Sequence, residues 1–111
     1  MGDYDDELFL YEIRPKSDEI IFNSFKRSYL FPKTLLWLND KSKKLSFVLT
    51  LDLIKKLNYS YLQAKNILER FVMCELLIKK KVNNKNQYWF ITGKNDKTLE
   101  KYVPCVQKNL F

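Results

Sequence analysis

Histidine is absent from the 111 residues. The commonest general base near neutral pH and the commonest metal ligand are therefore both missing. Glycine is nearly as scarce, at two residues. Phosphate cradles made from glycine-rich loops need residues without a Cβ where backbone meets ligand, so that class of site is disfavoured. The two cysteines, Cys74 and Cys105, stand 31 positions apart. Cys74 falls on the apolar side of a predicted helix, where a thiol is normally a small buried hydrophobe. Free thiols in a reducing, cytoplasmic compartment are expected, and a cysteine nucleophile would lack its usual base. No apolar run approaches the ~18 residues of a membrane span. Residues 1–7 are acidic rather than basic and then apolar, unlike a secretory leader. The expectation is a protein that is not an enzyme and has no catalytic residue, metal or other cofactor and no membrane span.

What is present points elsewhere. A hydrophobic content of 46% with 15% aromatics is too high for a disordered chain, and 111 residues suffice for one domain with a core. Charge is unevenly placed. Residues 1–19 hold seven acids against Arg14 and Lys16, a net of −5, while residues 20–111 hold eighteen bases against six acids, a net of +12. A basic body behind an acidic arm (residues 1–16) attracts polyanions, of which nucleic acid is the commonest. The bland alternative is a lysine-rich solvated surface of the kind AT-rich or thermophilic genomes favour.

Along the chain, Leu8–Ile13 reads as a short strand or extended arm ended by Arg14-Pro15. Ser17 followed by Asp18 and Glu19 starts a helix with a hydroxyl cap and two acids on the positive end of the dipole. That helix carries Ile20, Ile21, Phe25 and Tyr29 inward and stops near Phe31-Pro32. Pro32 suits the first position of a second helix, which buries Leu35, Leu36 and Leu38. Ser46–Leu49 leans to strand. Thr50 is placed to cap a third helix, with Asp52 in its first turn and Leu53, Ile54 and Leu57 inside.

The next stretch is the most specific. Asn58 follows the last apolar position of the third helix and tolerates the left-handed conformation of a helix end. Ser60-Tyr61-Leu62-Gln63 is a capping box, in which Ser60 and Gln63 exchange bonds with each other's backbone amides. One helix stops and another begins within about three residues, as a helix-turn-helix requires. In the second of these helices Ala64, Leu68, Phe71 and Leu76 form the inner stripe, and Tyr61, Gln63, Lys65, Asn66, Glu69, Arg70 and Met73 the outer surface. LIKKKV, NNKN and QYWFIT then read as strand, tip and strand, with Trp89 and Ile91 packing the hairpin on the core.

Residues 35–92 resemble the winged-helix superfamily of bacterial and archaeal transcription regulators. Ser60, Ala64, Leu68 and Phe71 match its recognition-helix pattern. Leu76, Leu77 and Lys79 match its exit, with Glu75 where the pattern has glycine, and QYWFIT matches its second wing strand. The resemblance implies an α+β winged helix-turn-helix fold: a three-helix core with a C-terminal β-hairpin wing, plus an extra N-terminal helix. It spans 17–111, with helix-turn-helix 50–76 and wing 77–92. Left-handed Z-form DNA binding is disfavoured, since no proline pair precedes Trp89 and Phe71 reads as core.

In such a fold the N-terminal half of recognition helix 60–75 faces the major groove of double-stranded DNA. Gln63 and Asn66 suit adenine, and Arg70 suits guanine or phosphate. Ser60, Tyr61 and Lys65 are further contact candidates, as are the helix N-terminal amides. Gln63 could equally serve only its capping box, Asn66 only water, and Arg70 a pair with Glu69 or Glu100. Wing lysines Lys79, Lys80, Lys81 and Lys85 neutralise backbone phosphate or enter the minor groove. Alternatively they blunt an exposed strand edge. Lys41, Lys43, Lys44, Lys55 and Lys56 reach flanking backbone or water.

Two functions follow. One is a small DNA-binding transcription regulator, host, viral or plasmid-borne. It would be a homodimer through the N-terminal helix (about 17–30) or the C-terminal segment (Lys97–Phe111). The other is a winged-helix interaction subunit of a transcription, replication or membrane-remodelling complex, docking through Ile20, Phe22, Val106, Leu110 and Phe111.

Overall fold

Short-range capping chemistry sets most of the element boundaries in the computed structural model, which describes residues 17–91 and 99–109. Among these residues the elements are α1 (Ser17–Arg27), α2 (Leu30–Ser42), β1 (Phe47–Val48), α3 (Thr50–Leu57), α4 (Tyr61–Met73), β2 (Leu77–Val82), β3 (Lys85–Phe90), a 3-10 turn (Leu99–Tyr102) and α5 (Val103–Asn109). The fold is α+β, with one antiparallel sheet of strand order β1-β3-β2. No helix among the described residues is long and apolar enough to cross a membrane. The expected arm at Leu8–Ile13, the acidic segment 1–16, and Thr92, Leu110 and Phe111 lie outside the described residues.

Helix α1 has acids at Asp18 and Glu19 in its first turn and bases at Lys26 and Arg27 in its last, each facing the favourable pole of the dipole. It ends at Arg27, short of the expected stop near Phe31-Pro32. Tyr29 therefore drops out of the inner stripe and is 78% exposed, while Ile21 and Phe25 stay buried. The Leu30 amide donates to Ser28 Oγ at 3.2 Å, so α2 starts at Leu30 and Pro32 is its third residue rather than its first. A first-turn amide has no intrahelical acceptor, and proline is tolerated there.

The core forms where α1, α2 and α4 meet. Phe31 and Phe71 stack at 4.5 Å with planes 4° apart, and Phe25 meets Phe31 edge-on at 5.2 Å. Leu35 and Leu38 of α2, Leu53 of α3 and Ala64 and Leu68 of α4 are fully buried beside them. Thr34 Oγ1 donates to the Leu30 carbonyl at 2.6 Å and lies 2.8 Å from the Tyr59 hydroxyl. Its one proton being used, the Tyr59 O–H donates, which pins the α3–α4 turn to α2.

That turn has the chemistry its sequence dictates. Asn58 adopts φ 58°, ψ 33°. Gln63 N–H donates to Ser60 Oγ at 3.1 Å, and Ser60 N–H donates to Gln63 Oε1 at 3.0 Å. At the start of α3 the expectation fails. Leu49, in extended backbone, holds the cap position and Thr50 is already helical. Asp52 Oδ2 accepts from the Leu49 amide at 2.8 Å.

Helix α4 leaves through a left-handed residue, Glu75, at φ 61°. The Leu76 amide reaches the Phe71 carbonyl and the Glu75 amide reaches the Val72 carbonyl, both at 2.9 Å. This pair of bonds is the Schellman arrangement. A glutamate thus occupies the conformation for which glycine is the usual residue. The hairpin turns on Asn83 and Asn84 alone, both with positive φ (51° and 63°), as a two-residue type I′ turn needs. Lys85 and Asn86, expected at the tip, are instead paired in β3.

Strand alternation has the opposite phase from that expected. Tyr88 and Phe90 are buried with Leu77, whereas Trp89 and Ile91 are only half-buried. Phe47 pairs with Trp89 and Val48 with Tyr88 across β1 and β3. On the sheet's outward face Trp89 stacks on Phe47 at 4.9 Å. Tyr88 can sit inside because its hydroxyl finds Glu69 there, at 3.0 Å.

Candidate nucleic-acid interface

The capping box exposes the first turns of α4. Ser60, Tyr61, Gln63, Lys65 and Asn66 are all exposed, while Ala64, Ile67, Leu68 and Phe71 face the core. Residues four apart share a helix face, so Lys65 flanks Tyr61, and Asn66 flanks Leu62. Leu62 is 64% exposed and Met73 57%. Leu62 was missing from the expected outer surface. The same 100° helical wheel that places Ala64 inward puts Leu62 nearly opposite, so the signal was present in the sequence.

Other predicted contacts are committed elsewhere. Arg70 is half-buried, and its Nη1 donates to Ser24 Oγ of α1 at 3.3 Å. It therefore faces α1 rather than the outward meridian of α4, and its partner is neither Glu69 nor Glu100. Gln63 keeps its carboxamide oxygen on the Ser60 amide, which leaves the NH₂ group as its outward donor. Lys79 Nζ pairs with Glu69 at 3.0 Å, so it closes the hairpin on α4.

The remaining hairpin lysines divide between the two faces of the ribbon. Register puts Lys79 opposite Tyr88 and Lys81 opposite Asn86, on the helix-facing side. Lys80 lies opposite Gln87, on the side of Trp89, and its Nζ stands 4.3 Å from the Trp89 ring centroid. Lys81 and Lys85 are exposed near the tip, and the same alternation puts Lys85 on the side of Gln87 and Trp89. A groove of about 310 Å³ separates that tip from the helices. It is lined by Leu51 and Ile54 of α3, Tyr61 of α4, and Asn84, Lys85 and Asn86 of the hairpin. Tyr61 and Lys85 thus flank one depression, with Lys65 one turn beyond Tyr61.

Of the upstream lysines, Lys43, Lys44, Lys55 and Lys56 are exposed, and Lys41 lies 5.9 Å from the Trp37 ring centroid. Titration of the buried groups is shifted toward the neutral forms. Burial and the Glu69 carboxylate push the Tyr88 hydroxyl up to about 12, and burial pushes the Cys74 thiol up to about 11, against a smaller opposing pull from Arg70. Burial also raises Tyr59, and burial with Asp18 raises Tyr102. A thiol held in its neutral form is a poor nucleophile. Among the described residues no cluster of three or more histidine, cysteine, aspartate or glutamate side chains is placed to hold a metal ion.

Comparison of the chain with protein-family models, with curated proteins and with solved structures gives no match.

Proposed function

We propose that this chain is a winged-helix protein that binds double-stranded DNA in a sequence-dependent way and acts as a small transcription regulator rather than an enzyme. The outward N-terminal half of α4 enters the major groove, and the β2–β3 hairpin lies on the adjacent backbone or minor groove. One observation carries the reading: Tyr61 at the start of α4 and Asn84, Lys85 and Asn86 at the hairpin tip line a single depression, so helix and ribbon reach the same side of the molecule. The net charge of +12 over residues 20–111 supplies the attraction for a polyanion. Tyr61, Lys65, Asn66, Lys81 and Lys85 are the working contacts. Arg70 and Lys79 are structural, and Lys80 serves the outer sheet face.

The reading is tested by titrating the full chain against a labelled AT-rich duplex at several salt concentrations. Binding should be micromolar or tighter at low salt, and log K should fall with log salt by roughly 0.9 per phosphate neutralised. Flat, weak binding overturns it.

A second reading has its own support. Leu51, Tyr61, Leu62 and Met73 expose apolar surface on α3 and α4, which suits an interaction subunit docking through this face. The patch expected from sequence fits less well, because Val106 is fully buried. A homodimer through α1 or the C-terminal segment is also proposed. Within one chain these elements already meet: the Tyr102 hydroxyl donates to Asp18 at 2.7 Å, and Phe22 meets the Tyr102 ring edge-on at 6.5 Å. Phe22 and Tyr29 remain exposed for a second copy, and sedimentation equilibrium decides the point.

A further inference from the structure

The guanidinium best suited to read guanine is absent from the outward meridian of α4. Arg70, the guanidinium of this helix, is turned to Ser24. Lys79 is bound to Glu69, and the Gln63 oxygen is held by the Ser60 amide. Two exposed side chains, Leu62 and Asn66, stand opposite the buried stripe Ala64, Leu68 and Phe71. One is purely apolar, and the other carries a carboxamide with no bond to another side chain or to backbone among the described residues. They are about 40° apart around the helix and about 6 Å apart along it, close to two steps of the ~3.4 Å base-pair rise.

A single exposed leucine on a protein surface is ordinary. Here it sits one turn from a carboxamide, on a helix face from which Arg70 is turned to Ser24 and at whose edge Lys65 is exposed. In the major groove the thymine C5-methyl is the apolar group on a base edge, and a carboxamide matches the N6 donor and N7 acceptor of adenine. We infer that α4 selects A·T pairs, Leu62 packing on a thymine methyl and Asn66 bonding an adenine within about two pairs of it. This inference rests on the duplex-binding reading above. Lys65, about 60° round the helix toward the hairpin, is assigned to phosphate.

The test uses the full chain and three duplexes of one alternating A·T sequence, read by fluorescence anisotropy. The first is unmodified, the second carries uracil for every thymine, and the third carries 7-deazaadenine for every adenine. Losing one contacted methyl should weaken wild-type binding about fourfold, and Leu62→Ala should bind the thymine and uracil duplexes equally. Asn66→Ala should likewise lose discrimination against 7-deazaadenine. Thermal melts of both variants should match wild type, since both side chains are exposed. Equal affinity of the wild-type chain for all three duplexes overturns the inference and leaves duplex binding standing. Uracil discrimination that persists in Leu62→Ala assigns it to duplex shape and also overturns it. Absence of binding to any duplex at low salt removes the duplex-binding reading itself, and this inference with it.

Discussion

Glu69 of α4 takes two hydrogen bonds from Lys79 of β2, at 3.0 and 3.2 Å, and a third from the Tyr88 hydroxyl of β3 at 3.0 Å. One carboxylate therefore fixes the angle of the hairpin to the helix. Glu69→Gln should lower stability by about 1 kcal/mol or less, because the Lys79 pair is substantially exposed. It should also free a cation beside the α4 face. Duplex affinity should rise, and the log–log salt slope should steepen by about one. An unchanged slope would place Lys79 away from DNA in either state.

Removal of the Ser60 cap should act on stability alone at first order. Ser60→Ala leaves the Gln63 amide unpaired at the helix start and costs about 1 kcal/mol, readable as a lower urea midpoint. Gln63→Ala should leave base preference unchanged, since its oxygen already serves the backbone. A shift in the selected sequence would show that the Gln63 NH₂ group reads a base or that the capping box opens on binding.

The positive-φ exit of α4 gives a backbone prediction. A β-branched residue is strongly disfavoured in left-handed backbone, so Glu75→Val should cost about 1–2 kcal/mol. Glu75→Gly should be tolerated with little loss. Thermal unfolding of the two variants side by side checks the difference.

Alkaline pH should destabilise the fold. The native state holds protons on Cys74 and on Tyr59, Tyr88 and Tyr102 that the unfolded chain releases from about pH 9 for cysteine and about pH 10 for tyrosine. The contribution of these groups is thus level below pH 9 and declines as pH rises through the native values, about 11 for Cys74 and about 12 for Tyr88. The urea midpoint against pH reports the decline. Phenolate absorbance should show these three tyrosines ionising late, together with unfolding. Early ionisation of Tyr59, Tyr88 and Tyr102 without unfolding would contradict their burial.

How much of this was legible beforehand follows the range of the interactions. Asn58, the Ser60–Gln63 box and the inner stripe of α4 depend on residues within one or two turns, and they stand as the local pattern dictates. The phase of β3 does not. Tyr88 and Trp89 are both aromatic, and burying Tyr88 depends on a hydroxyl partner, Glu69, nineteen residues earlier. Arg70 is the same case at longer range. Its neighbour Ser24 lies 46 residues away on α1, and helical spacing alone cannot tell a solvent-facing arginine from one aimed at another helix. Leu62 is different, since its outward position is readable from the helical wheel alone.

The most direct test of the account is to titrate the ¹⁵N-labelled full chain with a short duplex and follow its amide signals. Signals of Tyr61, Leu62 and Asn66 should move together with those of Asn83, Asn84 and Lys85 along one binding isotherm, while Phe22 and Tyr102 stay still. Movement confined to the hairpin, or centred on Phe22 and Tyr102, would contradict the claim that helix and ribbon meet the same duplex.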